Sequence, residues 1–224
     1  SRLEGNATYS PFRLCSLKGG GVSGTFTKLK CTLMPYIFSA AVEASETGIP
    51  VAPPMFMEFP HDPACQYLDL QYTLGGNILV APVFREDGMV QFYLPEGKWT
   101  HLLTNDVVDG GKWYEETYDY FSLPLCVREN SIIARGRDEN RPDYDYSQDP
   151  VLQLFESGEE KAAMAEVFDI QGKSQLKITA KREGSRINCE VTGAGKPWSI
   201  QLMNINHADA RGMKSQTDEK GIIL

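Results

Sequence analysis

QYTLGGNILVAPVF at 71–84, GMVQFYLPEGKWTHLLT at 88–104 and FSLPLCVRENSIIARG at 121–136 decide the fold class of this chain. The runs NILVAPVF, MVQFYLP, KWTHLLT, KWYEET, FSLPLCV and SIIARG are short, apolar or alternating, and Gly, Pro, Asn or Asp separates them. β-Branched and aromatic residues in such runs suit a pleated, half-buried surface. Many strands at this spacing predict a β-sandwich.

Downstream, VLQLFES, KAAMAEVFD, SQLKITAKR, RINCEVTG, WSIQLMN and KGIIL continue the same pattern, with turns at Ser157-Gly158, Gln171-Gly172 and Glu183-Gly184. Between the two sets, GRDENRPDYDYSQDP at 136–150 is polar, Pro-containing and charged in both signs, which reads as a linker between domains. Upstream, PVAPPMFMEF reads as a further strand. Asp62 followed by Pro63 gives an N-cap and first-turn pair, so one helical turn is expected to continue through ACQYLDLQY.

Leu29, Leu33, Tyr36, Ile37, Ala40, Ala41 and Ala44 fall on one helical stripe, with Thr25 or Thr27 as the cap and Gly48 then Pro50 as the stop. Pro35 inside this helix predicts a bend or a break into two shorter helices. Residues 9–25, with a Gly-Gly-Gly run and neither period, read as a loop. The expected architecture is mainly β: a helical segment, a proximal β-sandwich and a smaller distal β domain.

A chain of 224 residues with 42% hydrophobic content can bury a substantial core. The longest apolar runs, such as Ile78 to Phe84, fall far below the roughly 20 residues that span a bilayer, and no membrane role is expected. A net charge of −8 without clustered Lys and Arg argues against nucleic acid. Cys15, Cys31, Cys65, Cys126 and Cys189 are odd in number and lack CxxC spacing, so they read as free thiols in a reducing, cytoplasmic setting. His61, His101 and His207 are isolated from one another, and neither a metal site nor a cofactor is expected.

No nucleophile motif and no phosphate-cradling loop is present; the Gly-Gly-Gly run is not followed by Lys-Ser or Lys-Thr. Glu115-Glu116 and Glu159-Glu160 are adjacent acids, and neighbours in a strand point to opposite faces and cannot flank one bond. Glu58, Asp62 and Asp69 are the acids to suspect in a self-contained hydrolase, although capping accounts for Asp62. Trp99, Trp113, Tyr114, Tyr118, Tyr120 and Phe121 read either as core or as a stacking platform for sugar rings.

Taken in order, the quoted segments resemble the region that follows the catalytic barrel in glycoside hydrolase family 31. KLKCTLMPYIFSAA and MFMEFPHDPACQYLD are similar to the last barrel helix and its connection to the first sandwich in the α-xylosidases of that family, and RPDYDY at 141–146 is also similar to that branch. The resemblance implies that residues 1–48 end a (β/α)8 barrel, that 49–140 form the proximal sandwich and that 141–224 form the distal β domain. It implies retaining hydrolysis of α-linked xylosides or glucosides by two Asp carboxyls about 5–5.5 Å apart.

Both of those acids lie upstream of the matched segment in the family, so no catalytic residue is carried over. The chain opens at Ser1 inside patterned sequence, and a C-terminal fragment that does not catalyse alone is expected. Substrate would be reached through the barrel, and a homo-oligomer of the intact enzyme is a further expectation. SRLEGNATY resembles a family segment in which an Arg is followed two residues on by a His that contacts the sugar in the innermost subsite, which makes Arg2 and Glu4 the candidate substrate-binding positions. Arg2 matches, and Glu4 replaces the His, losing a donor when ionised. The basic, glycine-rich 10–25 stretch also departs from the family pattern. Two other readings are a stand-alone carbohydrate-binding module using Trp99 or Trp113, and an inactive interaction remnant that binds the intact enzyme.

Overall fold

A computed structural model describes residues 17–155, 158, 161–193, 195–205, 216–218 and 220–224. The chain is mainly β. Helices α1 (Leu17–Thr32), α2 (Met34–Thr47) and α3 (Met55–Glu58) and a 3-10 turn at Pro63–Tyr67 precede the strands. The first group of strands is β1 (Tyr72–Leu74), β2 (Ile78–Val80), β3 (Met89–Leu94), β4 (Lys98–His101), β5 (Val107–Asp109), β6 (Lys112–Thr117), β7 (Leu125–Arg128) and β8 (Ser131–Arg135). The second is β9 (Val151–Phe155), β10 (Ala163–Phe168), β11 (Ser174–Glu183), β12 (Arg186–Thr192), β13 (Ser199–Met203), β14 (Gln216–Asp218) and β15 (Gly221–Ile223).

The strands stack in four layers. A ribbon β3-β6 packs on the sheet β1-β2-β7-β4-β5, which packs on β14-β15-β13-β9-β8, which packs on β10-β11-β12. The alternation of side chains along each strand builds this order. In β2, Leu79 joins Trp99, Phe92 and Leu94 under the ribbon, while Ile78 and Val80 turn the other way to meet Ile133, Phe155 and Met203. In the next sheet, Ile132, Leu152, Leu154, Ile200 and Leu202 face Val167, Leu176, Ile178 and Ala180 of the last. The two inner sheets are therefore covered on both faces, which explains unbroken apolar runs such as ILV, LCV and SII. Strand β11 of the outer three-stranded sheet alternates instead, as SQLKITAKRE shows with Leu176, Ile178 and Ala180 inward.

Strand β8 pairs with β9, so the strand before the polar 136–150 stretch and the strand after it lie in one sheet. The stretch itself is pinned to the helices: Tyr144 donates to the Cys31 carbonyl at 2.7 Å, Gly136 N donates to the Thr32 carbonyl at 2.8 Å, and Tyr146 packs on Phe38 with ring centroids 5.1 Å apart. A second tie joins Asn105 to Asn204 and to the Lys220 carbonyl, with both asparagines left-handed at φ 67 and 60.

Helix α1 corrects the loop expected over 9–25, since its helical turns begin at Leu17; residues 9–16 lie outside the described residues. Glycines disfavour such a start, but Cys31 and Leu33 are buried at the other end, and propagating a helix from an anchored turn costs far less than nucleating one. Thr25 is accordingly no cap: its hydroxyl donates back to the Gly21 carbonyl at 3.1 Å. The Pro35 expectation resolves as a break. α1 ends at Thr32, and Pro35 enters the first turn of α2, where its missing N–H is harmless. Gly48 ends α2 at φ 78, its N–H bonded to the Ala44 carbonyl at 3.0 Å.

PVAPPMFMEF is not a strand. Pro53 and Pro54 have no N–H for a ladder, only an isolated Pro54–Tyr72 bridge forms, and Met55–Glu58 make one helical turn. The Asp62–Pro63 turn forms, with Asp62 accepting from Ala64 N at 3.0 Å, but it stops at Tyr67. Tyr72–Leu74 pair with β2 instead of continuing the turn. The expected turns at Gly172 and Gly184 are present with φ 78 and 61.

Candidate functional site

The acids singled out from sequence are held in structural roles or face solvent. Asp62 caps the 3-10 turn and also accepts from the Tyr93 hydroxyl at 3.0 Å. Asp69, Glu115 and Glu116 are exposed, and Glu116 accepts from the Tyr118 hydroxyl. Arg2, Glu4 and the Glu159-Glu160 pair lie outside the described residues.

Glu58 belongs to a polar knot that sequence reading did not assemble. Arg128 at the end of β7 donates through Nη1 to Glu58 Oε1 at 2.8 Å and through Nε to Asn77 Oδ1 at 3.3 Å. Tyr36 of α2 donates to the Leu74 carbonyl at 2.7 Å and accepts from Asn77 N at 3.1 Å. Four separate elements, α2, α3, the β1–β2 turn and β7, thus meet at one point. Burial raises the Glu58 carboxyl above its ordinary value, and the charge of Arg128 opposes this. Burial also pushes the Tyr36 phenol well above the usual range.

Retaining glycoside hydrolysis needs two carboxyls facing one bond, whereas Glu58 faces a guanidinium. The knot ties the turn at Gly75 to α2, α3 and β7, and the negative charge of Glu43 also acts on Glu58. Among the described residues no group of three or more His, Cys, Asp or Glu could hold a metal ion.

His101 is buried, and His61 is exposed; His207 lies outside the described residues. The His101 Nδ1 accepts from Leu103 N and Thr104 N, both at 3.3 Å, and the ring stacks on Tyr118 with centroids 6.1 Å apart. Burial lowers its pKa, opposed by the Leu123 carbonyl and the charges of Glu116 and Asp106. The unfolded chain, with a histidine near pH 6.5, therefore binds the proton more readily than the folded chain. This contribution to stability is whole above about pH 6.5 and is lost as pH falls through the folded value. Urea unfolding at pH 7.5 and pH 5 should show a larger loss for the native chain than for His101→Gln. Equal losses would remove His101 from the account.

The aromatic residues divide. Trp99 is 1% exposed, and its indole N–H donates to the Pro95 carbonyl at 2.8 Å. Trp113 is 52% exposed on the ribbon, so no coplanar pair of indoles forms. Tyr114 stacks on Phe92, while Tyr120 and Phe121 are exposed. Exposed apolar residues also occur on α3 and the 3-10 turn, which contact one another, and just after them: Phe56 and Met57 on the first, Tyr67 at the end of the second, and Leu70 three residues beyond it. No helix among the described residues is long and apolar enough to cross a membrane. Cys31, Cys65, Cys126 and Cys189 are free thiols.

Comparison with known proteins gives two family matches in tandem. Residues 48–133 match the glycosyl hydrolase family 31 C-terminal domain, and residues 145–224 match the C-terminal domain of alpha-xylosidase YicI. The chain is 37% identical over 168 residues to alpha-xylosidase XylQ of Lactiplantibacillus pentosus, covering 73% of this chain and 22% of that protein. It is 38% identical over 154 residues to an alpha-xylosidase of Emericella nidulans, covering 64% of this chain and 19% of that protein. The chain thus spans about a fifth of the length of these curated relatives. In fold it is similar to a family 31 dextranase of Flavobacterium johnsoniae, with a TM-score of 0.76 at 22% identity over 90% of this chain and 27% of that one.

Proposed function

The chain belongs to glycosyl hydrolase family 31, in its C-terminal region, and from that premise we propose that it is the non-catalytic β portion of a retaining α-glycosidase. The enzyme acts on α-linked xylosides or glucosides, and its catalytic carboxyls come from a barrel that the tandem β layers support. The observation that carries this reading is the order of the two family matches, 48–133 then 145–224, across the layered sheets. The identity to two alpha-xylosidases favours an α-xyloside substrate. The assignment of Glu58 to Arg128 and of Asp62 to a helix cap supports a chain that lends frame and no acid. Residues 49–140 and 141–224 serve as its proximal and distal β units, and the free thiols support a reducing, cytoplasmic setting.

Phe56, Met57, Tyr67 and Leu70 are the surface on which the barrel would sit, since a soluble monomer rarely leaves large apolar patches open. The isolated chain is expected to bind an apolar dye and to aggregate. Co-expressed with the barrel segment of a family 31 α-xylosidase, it should co-purify with that segment and lose most of the dye signal. A monodisperse isolated chain without dye binding would contradict the reading.

A further inference from the structure

We propose that the outer face of the β3-β6 ribbon at Trp113 is a shallow binding site for a single neutral pyranose ring, separate from any site in the barrel. The register pairs Tyr93 with Trp113 and Gln91 with Glu115, so these four side chains share one face. Trp113 is half exposed, and its ring leans on Tyr93 with centroids 5.6 Å apart and planes at 54°.

Tyr93 is itself fixed from several directions. Its hydroxyl donates to Asp62 at 3.0 Å, its carbonyl accepts from Gln71 Nε2 at 2.8 Å, and its N–H donates to Gln71 Oε1 at 2.8 Å. The indole is thus braced by a clamped neighbour, so little ordering remains to be done when a ligand lands on it.

The groups beside the indole select the ligand. Gln91 and Glu115 are exposed and make no side-chain hydrogen bond among the described residues, and although the charge of Glu115 acts on Arg85, an amide and a carboxylate remain available to a ligand's hydroxyls. Two residues along a strand place Glu115 about 6–7 Å from Trp113, within reach of the hydroxyls of a ring whose C–H face rests on the indole. Glu115 and the net charge of −8 disfavour an anion. One half-exposed indole among polar neighbours is far smaller than the roughly 800 Å² per partner of a stable protein interface. A ring with one apolar face and a rim of hydroxyls matches both requirements.

The test uses the full chain, held at a concentration below the onset of self-association and labelled with 5-fluorotryptophan, whose three tryptophans give separate fluorine resonances. Titration with methyl α-D-glucopyranoside and with isomaltotriose should move the Trp113 resonance and leave Trp99 in place, with a dissociation constant on the order of 1 mM. Gln91→Ala and Glu115→Gln should each weaken the response severalfold with the fold intact. No movement of Trp113 with either sugar, or equal movement of all three resonances, would overturn the proposal. A Trp113 shift that follows protein concentration and not sugar would assign the face to a second copy and would also overturn it. None of these results depends on whether the barrel docks on α3.

Discussion

Phe155→Ala is expected to destabilise the chain by about 3–5 kcal/mol, and to do so in both halves at once. Phe155 is fully buried in the cluster that holds Ile133, Met203, Ile78 and Val127, together with Leu33 at the break between α1 and α2 and Tyr36 of α2. It therefore belongs to the core shared by the first five-stranded sheet and the second. Removing the ring opens a cavity that neither sheet can close without dragging the other, because each is packed on its opposite face as well. Trp99 reports the first region, and Trp198, packed against the last core cluster, reports the second. Urea unfolding followed with only one of these indoles retained at a time should give a single midpoint that falls equally for both. A fall seen at Trp198 alone would show that the layers unfold independently.

Gly110→Ala should be nearly as damaging for a different reason. A Cβ at this position would lie inside van der Waals contact of the Pro95 carbonyl oxygen and 2.9 Å from Trp99 Nε1. That carbonyl is the acceptor of the indole N–H, so the methyl group would separate the pair that seats the largest buried side chain. Gly110 N also donates to the Gly97 carbonyl at 2.7 Å, which prevents the turn from retreating. A loss at or above the upper end of the about 1–3 kcal/mol range for overpacking is expected, read by thermal unfolding. Gly24→Ala is the control: nothing lies within 4 Å of its Cβ, and an alanine inside α1 should be stabilising by about 0.5–1 kcal/mol. Equal tolerance of both substitutions would mean that the Pro95–Trp99 contact does not hold the core.

The strands were legible because their residues repeat the physics of the sheet. ILV, LCV and SII signal burial on both faces, and SQLKITAKRE signals burial on one. The Pro35 break and the Asp62 cap were legible because each depends on two adjacent residues. The start of α1 was not, since its glycines oppose the helix that burial at Cys31 and Leu33 imposes. The turn at α3 was hidden for the converse reason: MFME is apolar enough to pass for a strand, and only the prolines before it tell against that.

The polar knot was illegible because its partners are distant in sequence, Glu58 and Arg128 being 70 residues apart. A lone Arg closing the apolar run LCVR and a lone Glu before Phe59-Pro60 were its only local signals. The divergence of the two indoles was not legible in the sequence, because alternation around Trp99 and Trp113 does not say which face of each strand is covered. The expected sugar contacts at Arg2 and Glu4 lie outside the described residues.

Hydrolysis of chromogenic α-xyloside and α-glucoside tests the central claim most directly. The purified chain should release no chromophore, and the same chain joined to the barrel of a related family 31 enzyme should do so with retention at the anomeric carbon. Turnover by the chain alone, abolished by Glu58→Gln or Asp62→Asn, would contradict the account, because groups assigned to an ion pair and a helix cap would then be doing the chemistry.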